Sequence, residues 1–337
     1  MNYISVSFPT ILLVAATITG QTTADSLPPQ PCDDGLPNLL DALAQDDPGE
    51  INRLRRILAI ENPSCFQQHF GHFVRHFLDR LHNTPRHINL HLPKAGGSSL
   101  CSVAKEAGKV QGLPSHHNCW EQNHFYPMWC ARDFSTRGTW QDCEAMDAEL
   151  PEFIMNENYL DHPLCMQQRL HSIVIREPVE RAISHEMHLE KFRDYYKMTH
   201  ETFEKRLSMG RMNYMTWALS VDLIDRSGMN KAMIKPGRTI HAEVAMETLS
   251  KFDFILEFSR DKACDAASVH FMGFGDLVPG HNSADVEKSK GLNPRAFYEE
   301  WNKLDMAVYR YANKLMEVDC EFFARVLDEI GGLPEIV

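Results

Sequence analysis

The feature that most constrains the fold is a repeated unit in which a buried strand runs through a short turn into a helix. The unit occurs first in INLHLPKAGGSSLCSVAKEAG, Ile88–Gly108, and again in HSIVIREPVERAISH, His171–His185. A further strand is predicted at FDFILEFS, Phe252–Ser259, after a helical region. Because strands that alternate with helices form parallel sheets, we predict an α/β fold with a central parallel sheet flanked by helices.

The turn of the first unit, PKAGGSS, has the composition of an anion-binding site. Gly96 and Gly97 allow positive φ and close approach of the backbone. Ser98 and Ser99 begin a helix whose free N–H groups attract anions. Lys94 adds a positive charge on a flexible stem. These features predict phosphate binding at the carboxyl end of a parallel strand, and a turn without a ligand is the alternative.

The second unit places an arginine just beyond its strand. Arg176 holds that position, and Ser184 follows on the helix, so that both side chains can converge on one phosphate. Arg181 is a further donor, and Glu177 and Glu180 complement the positive end of the helix. A salt-bridged helix cap is the alternative interpretation of this unit. One nucleotide can bridge the two units only if they lie at neighbouring strand ends.

The two motifs together resemble those of sulfotransferases that use 3′-phosphoadenosine-5′-phosphosulfate (PAPS). PKAGGSS resembles the 5′-phosphosulfate loop, in the PKTGGTS form of Golgi carbohydrate sulfotransferases such as the heparan sulfate 2-O and 6-O enzymes, with Ala95 in place of the usual threonine. The second motif resembles the 3′-phosphate motif RDPVERxxS, with Glu177 in place of aspartate. The resemblance spans about Asn89 to Met316 and implies a P-loop-like three-layer fold.

The resemblance implies in-line transfer of the sulfuryl group of PAPS to an acceptor hydroxyl, with no metal required. Lys94 is the candidate that stabilises charge on the leaving oxygen. The implied nucleotide-binding residues are Lys94, Ala95, Gly96, Gly97, Ser98, Ser99, Arg176, Ser184 and Arg181. The loop HNSADVEKSKGLNP lies where the family often closes over the nucleotide; in it Lys288 or Lys290 is a possible phosphate contact, and a solvated loop is the alternative.

A base must take the proton of the acceptor hydroxyl. In the carbohydrate sulfotransferases this base is usually a histidine or glutamate between the two motifs. Glu157 ranks first here, followed by His117, His124 and His162, and His116 is a further option. For each of these residues, an ordinary position on the polar surface is the alternative.

The ends of the chain suggest how it is organised. FPTILLVAATI, Phe8–Ile18, is shorter than the roughly 20 residues of a membrane span and suits the core of a signal peptide. We predict a signal peptide, or a short signal anchor, at 1–24. A lead-in with one amphipathic helix follows at 25–85, then the sulfotransferase domain at 86–325 and a tail at 326–337.

Two long helices are predicted outside the motifs. The helix Phe66–His82 has a phenylalanine face, with His69, His72, His76 and Arg80 largely on the opposite side. We favour a solvated surface for that basic side, with polyanion contact as the alternative. The second helix, Pro294–Val318, is predicted from apolar residues that recur every three to four positions.

Nine cysteines indicate an oxidising compartment, either the Golgi lumen or the outside of the cell. They are Cys32, Cys65, Cys101, Cys119, Cys130, Cys143, Cys165, Cys264 and Cys320. Their number is odd, and we predict that Cys101 is the unpaired one because it lies inside a helix. Disulfides are favoured over a zinc site at Cys119, His124 and Cys130.

The expected partner is a carbohydrate or small-molecule acceptor. A net charge of −12 argues against nucleic acid and sits poorly with a heparan-like polyanion. Membrane contact is expected only if the N-terminal segment is an uncleaved anchor. Sulfation of a small hydroxylated or amine metabolite and a non-catalytic glycan-binding role are the alternatives. A kinase is disfavoured because Lys94 precedes the glycines, whereas the Walker lysine follows them.

Overall fold

The structure is a computed structural model that describes residues 36–110, 119, 152–156, 165–190, 213–220, 241–257, 262–275 and 294–331. All of these lie within one compact unit, Cys32–Val337. The strands are β1 (His87–His91), β2 (Phe153–Asn156), β3 (Leu170–Val174) and β4 (Phe254–Leu256). The helices are α1 (Leu36–Gln45), α2 (Pro48–Glu61), α3 (Pro63–Asn83), α4 (Gly97–Glu106), α5 (Pro178–Glu190), α6 (Tyr214–Leu219), α7 (Ala242–Lys251), α8 (Lys262–Val269, continued by a π-helical turn His270–Phe274), α9 (Pro294–Trp301) and α10 (Lys303–Ile330).

The four strands form one parallel sheet in the order β2-β1-β3-β4. The fold is therefore α/β, as predicted, and its mostly helical content is compatible with three layers. Because the strands are parallel, their carboxyl ends share one edge of the sheet, called here the carboxyl edge. Their amino ends share the opposite edge, called the amino edge. The described residues of all four strands are buried, as expected for a parallel sheet covered by helices.

Helices α3 and α10 pack on the sheet through aromatic rings. The Phe77 ring of α3 lies 6.2 Å from Phe254 of β4, and the Phe323 ring of α10 lies 5.8 Å from the same side chain. Phe77 and Phe271 pack edge to face at 5.2 Å. The predicted amphipathic helix thus belongs to the same core as the sheet. The segment before it is also more helical than predicted, since α2 precedes α3.

The predicted position of Arg80 on the solvated side of this helix is wrong. Its side chain is buried, with Nε 2.7 Å from Asp253 Oδ1, and it donates to the Arg169 carbonyl at 2.7 Å. Asp253 immediately precedes β4, and its other oxygen accepts the backbone N–H of His171 at 2.7 Å. Arg80 is drawn inward because it pairs with this carboxylate at the amino edge.

A second buried ion cluster closes the same edge. The carboxylate of Asp319 on α10 accepts from Arg55 at 2.7 Å and from Arg56 at 2.6 Å. Arg56 also donates to the carbonyls of Ser250 and Phe252, at 2.7 and 2.6 Å, just before β4 begins. These contacts connect α2, α10 and the start of β4.

The predicted helix Pro294–Val318 is interrupted at Asn302. The side chain of Asn213 accepts the N–H groups of Leu304 and Asp305 at 3.1 Å, which caps the start of α10. The Asp305 carboxylate in turn accepts the N–H of Thr216 at 2.7 Å in α6. The two helix starts therefore cap each other. α10 also continues beyond the predicted end to Ile330, and Val326 within it is fully buried.

The prediction that Cys101 is unpaired is wrong. Cys101 forms a disulfide with Cys119, and Cys264 of α8 forms one with Cys320 of α10. All six cysteines within the described residues are disulfide-bonded, the other two being Cys65 and Cys165. A helical position did not keep Cys101 from pairing, because Cys119 lies against α4, with the Cα atoms of the two cysteines 5.5 Å apart. No described helix is long and apolar enough to span a bilayer.

Candidate functional site

The two predicted phosphate motifs leave the sheet at neighbouring strand ends. β1 and β3 are adjacent, and their last paired residues are His91 and Val174. Ile175 continues the sheet by donating its N–H to the Leu256 carbonyl of β4 at 2.8 Å. The turn that contains Lys94 and the start of α5 therefore both lie at the carboxyl edge.

The first turn is held in a conformation that is unusual for lysine. Ala95 N–H donates to the Leu92 carbonyl at 3.1 Å, Pro93 is the second residue of the turn, and Lys94 has a φ of 67°. These features define a type II turn, whose third position favours glycine. A left-handed conformation costs a non-glycine residue about 1–2 kcal/mol. Such strain persists where surrounding contacts impose it, and it concentrates at functional sites.

Gly97 is required by the histidine that precedes the turn. A Cβ atom at Gly97 would lie 2.0 Å from Cδ2 of His91, far inside contact distance. The imidazole thus fills the space beneath the first residue of α4. Burial, with a further contribution from the positive charge of Lys94, lowers the pKa of His91 to about 4. His91 is therefore neutral at pH 7 and supports the turn without adding charge.

The start of α4 is formed by glycine and serine residues. Gly96 is the N-cap residue, with a φ of 113° and no side-chain hydrogen bond to the helix. Ser99 N–H donates to the Gly96 carbonyl at 2.9 Å, which tightens the first turn. Ser98 is exposed and Ser99 is half-buried, so both hydroxyls lie at the surface of the helix start, while Ala95 is buried. Free N–H groups at such a helix start attract phosphate.

Arg176 joins the two motifs. One terminal nitrogen of its guanidinium, Nη1, donates to the carbonyl of Lys94 at 3.3 Å. The other, Nη2, lies 3.5 Å from the carboxylate of Glu180, one turn into α5. The Arg176 side chain is 17% exposed and that of Glu180 is 44% exposed. At the carboxyl edge, Arg176 therefore contacts the backbone of Lys94, and both residues are partly exposed.

The other residues of the second motif lie deeper. Glu177 caps α5, because its carboxylate accepts the N–H of Glu180 at 2.6 Å, a role that glutamate can fill in place of the aspartate of the resembled motif. Ser184 is buried in the second turn of the helix. The guanidinium of Arg181 is also buried and lies 5.2 Å from the ring centroid of Tyr214. The structure thus packs Arg181 against α6.

Arg181 and Asp305 influence each other across this buried contact region. Burial lowers the pKa of Arg181 and raises the pKa of Asp305, and in each case the opposite charge of the other residue counteracts the shift. Arg181 is therefore part of the packing among α5, α6 and α10, a position that differs from the half-exposed place of Arg176.

One polar pair at the carboxyl edge was not predicted from the sequence. Glu257 directly follows β4, is buried, and accepts the Tyr309 hydroxyl of α10 at 2.8 Å. Burial and the Glu257 carboxylate raise the pKa of Tyr309. The predicted strand ran to Ser259 and so hid Glu257 inside it, whereas β4 ends at Leu256. The sequence signal for the end of this strand was a charged residue directly after the buried run FDFIL.

The predicted bases and loop lysines lie outside the described residues. These are Glu157, His117, His124, His162, His116, Lys288 and Lys290. Within the described ranges, no group of three or more histidine, cysteine or acidic side chains is arranged to hold a metal ion.

The described part of the carboxyl edge offers a lysine and an arginine from two contacting segments, two surface hydroxyls and the N–H groups of a helix start. This set of donors is suited to binding a ligand with more than one anionic group. Comparison with known proteins adds no family: no family model, no curated protein and no solved structure matches this chain.

Proposed function

We propose that the chain is a PAPS-dependent sulfotransferase with a P-loop-like fold, which transfers the sulfuryl group of PAPS to an acceptor hydroxyl. The observation that carries this proposal is the contact between Arg176 and the Lys94 carbonyl at the ends of adjacent parallel strands. A nucleoside 3′,5′-bisphosphate has two anionic groups on one ribose, and cationic residues in two turns at adjacent strand ends are suited to binding both groups.

The residues of the two motifs take complementary roles in the proposal. Lys94, with the N–H groups of Gly96 and Gly97 and the hydroxyls of Ser98 and Ser99, binds the 5′-phosphosulfate. Arg176 and Ser184 bind the 3′-phosphate and so fix the orientation of the donor. Arg181, which packs against Tyr214, supports α5 from within the core and stays a candidate for a further phosphate contact.

The chemical step is an in-line displacement at sulfur. The acceptor oxygen forms a bond to sulfur while the bond from sulfur to the 5′-phosphate oxygen breaks, and adenosine 3′,5′-bisphosphate leaves. Lys94 stabilises the negative charge that grows on this bridging oxygen. The acceptor proton passes to a base, for which Glu157 and His117 are the first candidates. The proposed reaction uses PAPS as co-substrate and no metal.

The proposed setting is the secretory pathway, in the Golgi lumen or outside the cell. Disulfides at all six described cysteines support an oxidising compartment. We favour a carbohydrate acceptor, by resemblance to the carbohydrate enzymes. The net charge of −12 favours a neutral glycan over a polyanion.

Nucleotide binding tests the proposal first. We expect adenosine 3′,5′-bisphosphate to raise the thermal unfolding midpoint of the chain, and magnesium-ATP to raise it less. Stabilisation by magnesium-ATP alone would indicate a kinase instead. An acceptor screen with sulfur-labelled PAPS then identifies the substrate. If the bisphosphate binds but a broad screen of hydroxyl compounds finds none that is sulfated, the non-catalytic glycan-binding role replaces the sulfotransferase proposal.

Two variants then separate the roles of the motifs. Lys94→Ala is expected to reduce turnover by about 100-fold or more while leaving nucleotide affinity less affected, because Lys94 acts mainly on the leaving oxygen. Arg176→Ala is expected mainly to weaken nucleotide binding. Wild-type affinity for the bisphosphate in Arg176→Ala would falsify the assignment of Arg176 to the 3′-phosphate.

A further inference from the structure

Arg176 contacts the turn of the first motif as well as the helix of the second. Its Nη1 donates to the Lys94 carbonyl at 3.3 Å, and Lys94 is the left-handed residue of that turn. From this contact we infer that Arg176 is a positioning residue for the Lys94 turn, so that it governs the 5′-phosphate site in addition to binding the 3′-phosphate. The inference rests on the proposed function.

The contact acts on the peptide group that most needs support. The carbonyl of Lys94 belongs to the peptide that joins Lys94 to Ala95, and the N–H of the same peptide donates to Leu92 at 3.1 Å. Both sides of this peptide are therefore held, one by the turn and one by Arg176. A hydrogen bond from a charged donor is stronger than a neutral one. It opposes relaxation of Lys94 from its φ of 67°.

The geometry of the guanidinium couples the two sites. Its two terminal nitrogens, Nη1 and Nη2, are fixed in one plane, so a movement of one nitrogen also moves the other. Nη2 lies 3.5 Å from Glu180, whose carboxylate is exposed enough to move away. A 3′-phosphate that takes the place of this carboxylate keeps the arm in position and leaves Nη1 on the Lys94 carbonyl.

This arrangement makes a prediction about ligands that have no 3′-phosphate. If Arg176 served only the 3′-phosphate, its loss would not affect the binding of adenosine 5′-monophosphate. If Arg176 also holds the Lys94 turn, its loss weakens the binding of adenosine 5′-monophosphate too, because the lysine and the start of α4 are less well ordered for the 5′-phosphate.

The test is calorimetric titration of the full chain with adenosine 3′,5′-bisphosphate and with adenosine 5′-monophosphate. Arg176→Met keeps most of the length of the stem and removes the donor; it is expected to weaken the monophosphate about tenfold and the bisphosphate more. Ser184→Ala is the matched control, since it removes a 3′-phosphate contact and is expected to weaken only the bisphosphate. Arg176→Lys restores a charged donor and is expected to recover monophosphate affinity.

The outcomes separate this inference from the proposed function. Monophosphate affinity that stays at the wild-type value in Arg176→Met overturns the inference and leaves the proposed function intact. A wild-type chain that binds neither nucleotide overturns the proposed function itself. Thermal midpoints without nucleotide are measured for all variants. If Arg176→Met and Arg176→Lys share one midpoint and only the lysine variant recovers monophosphate affinity, a merely structural role is ruled out.

Discussion

The two edges of the sheet use arginine in opposite ways. At the amino edge, Arg56 and Arg80 are buried, and each pairs with a buried carboxylate, Asp319 and Asp253, at 2.6 and 2.7 Å. At the carboxyl edge, Arg176 is partly exposed, and its arms meet a neutral carbonyl at 3.3 Å and an exposed carboxylate at 3.5 Å. Arginine side chains are thus closely paired with carboxylates at the amino edge, whereas Arg176 makes only longer contacts at the carboxyl edge.

This difference indicates what each edge is for. A buried arginine that is fully paired with carboxylates and carbonyls fixes the packing of distant segments, and removing one partner leaves an uncompensated charge. An arginine with weak, replaceable partners near solvent can exchange them for an anionic ligand. The amino edge is therefore expected to determine stability, and the carboxyl edge to determine binding.

The largest expected effect is at the amino edge. Asp319→Asn removes the carboxylate that pairs with both Arg55 and Arg56. We expect the free energy of unfolding to fall by about 3–5 kcal/mol, measured by urea denaturation. Glu300→Gln, which removes an exposed partner of Lys303, is the control and is expected to have little effect. A loss of stability no larger in Asp319→Asn than in this control would contradict the division between the edges.

Acid is expected to act on both ends of β1. Burial lowers the pKa of His87, at the amino end, to about 3 and that of His91, at the carboxyl end, to about 4. The unfolded chain protonates histidine near pH 6.5, so below that pH it takes up protons that the folded chain does not. The free energy of unfolding should therefore have its full value above pH 6.5 and decrease as the pH falls toward 4. Each of the two histidines should contribute up to about 1.4 kcal/mol per pH unit to this decrease. His91→Gln should reduce this slope, and equal slopes in variant and wild type would argue against the assignment.

Gly97→Ala tests the packing beneath the carboxyl-edge turn. The added Cβ meets the His91 ring at 2.0 Å, so we expect a loss of about 1–3 kcal/mol in stability together with weaker nucleotide binding. The matched control is Gly71→Ala in α3, where nothing lies within 4 Å and alanine is expected to stabilise the helix. The double variant with His91→Ala should recover stability; no recovery would mean that another contact excludes the side chain.

Lys94→Gly sharpens the comparison because its two effects have opposite signs. Glycine adopts the left-handed conformation of Lys94 without strain, so we expect unfolding to cost about 1 kcal/mol more in the variant. The positive charge is lost at the same time, so sulfuryl transfer should fall sharply. Denaturation curves and turnover are compared with those of Lys94→Ala, which keeps the strain. A glycine variant no more stable than the alanine variant would show that the turn is not strained.

The smallest effect is expected from Glu180→Gln. Removing this carboxylate frees one arm of Arg176, so affinity for adenosine 3′,5′-bisphosphate should rise about two- to fivefold in calorimetric titration. Glu247→Gln breaks a pair of the same spacing, with Lys251 at 3.0 Å, beside the amino edge, and should leave that affinity unchanged. Lower bisphosphate affinity in Glu180→Gln would mean that Glu180 helps to orient Arg176 for the ligand.

Local pattern was sufficient for much of the fold. Strands that end in a turn and a helix predicted the parallel sheet, and the apolar runs at Ile88 and His171 located β1 and β3 to within a residue or so. The positive φ of Gly96 was also anticipated, whereas the left-handed conformation of Lys94 was not, because that position of the turn favours glycine. What local pattern reveals is where an element lies and how it begins and ends.

Contacts between residues far apart in the chain could not be predicted from local sequence pattern. Arg80 looked like a surface residue because its partner, Asp253, lies on another element, and α10 looked continuous because its cap comes from Asn213. Glu257 was assigned to a strand because its hydrogen-bond donor, Tyr309, is on α10. These contacts depend on tertiary packing, which can override local propensity.

The Cys101–Cys119 disulfide bears on how the protein is prepared. It fastens the middle of α4 to a residue whose carbonyl accepts the Met155 N–H of β2 at 3.0 Å, so the helix that follows the Lys94 turn is tied to an edge strand of the described sheet. Dithiothreitol, or expression in a bacterial cytoplasm, would leave that tie open. Export to the periplasm or the endoplasmic reticulum, followed by reductant-free buffers, keeps the crosslink that joins α4 to the residue paired with β2.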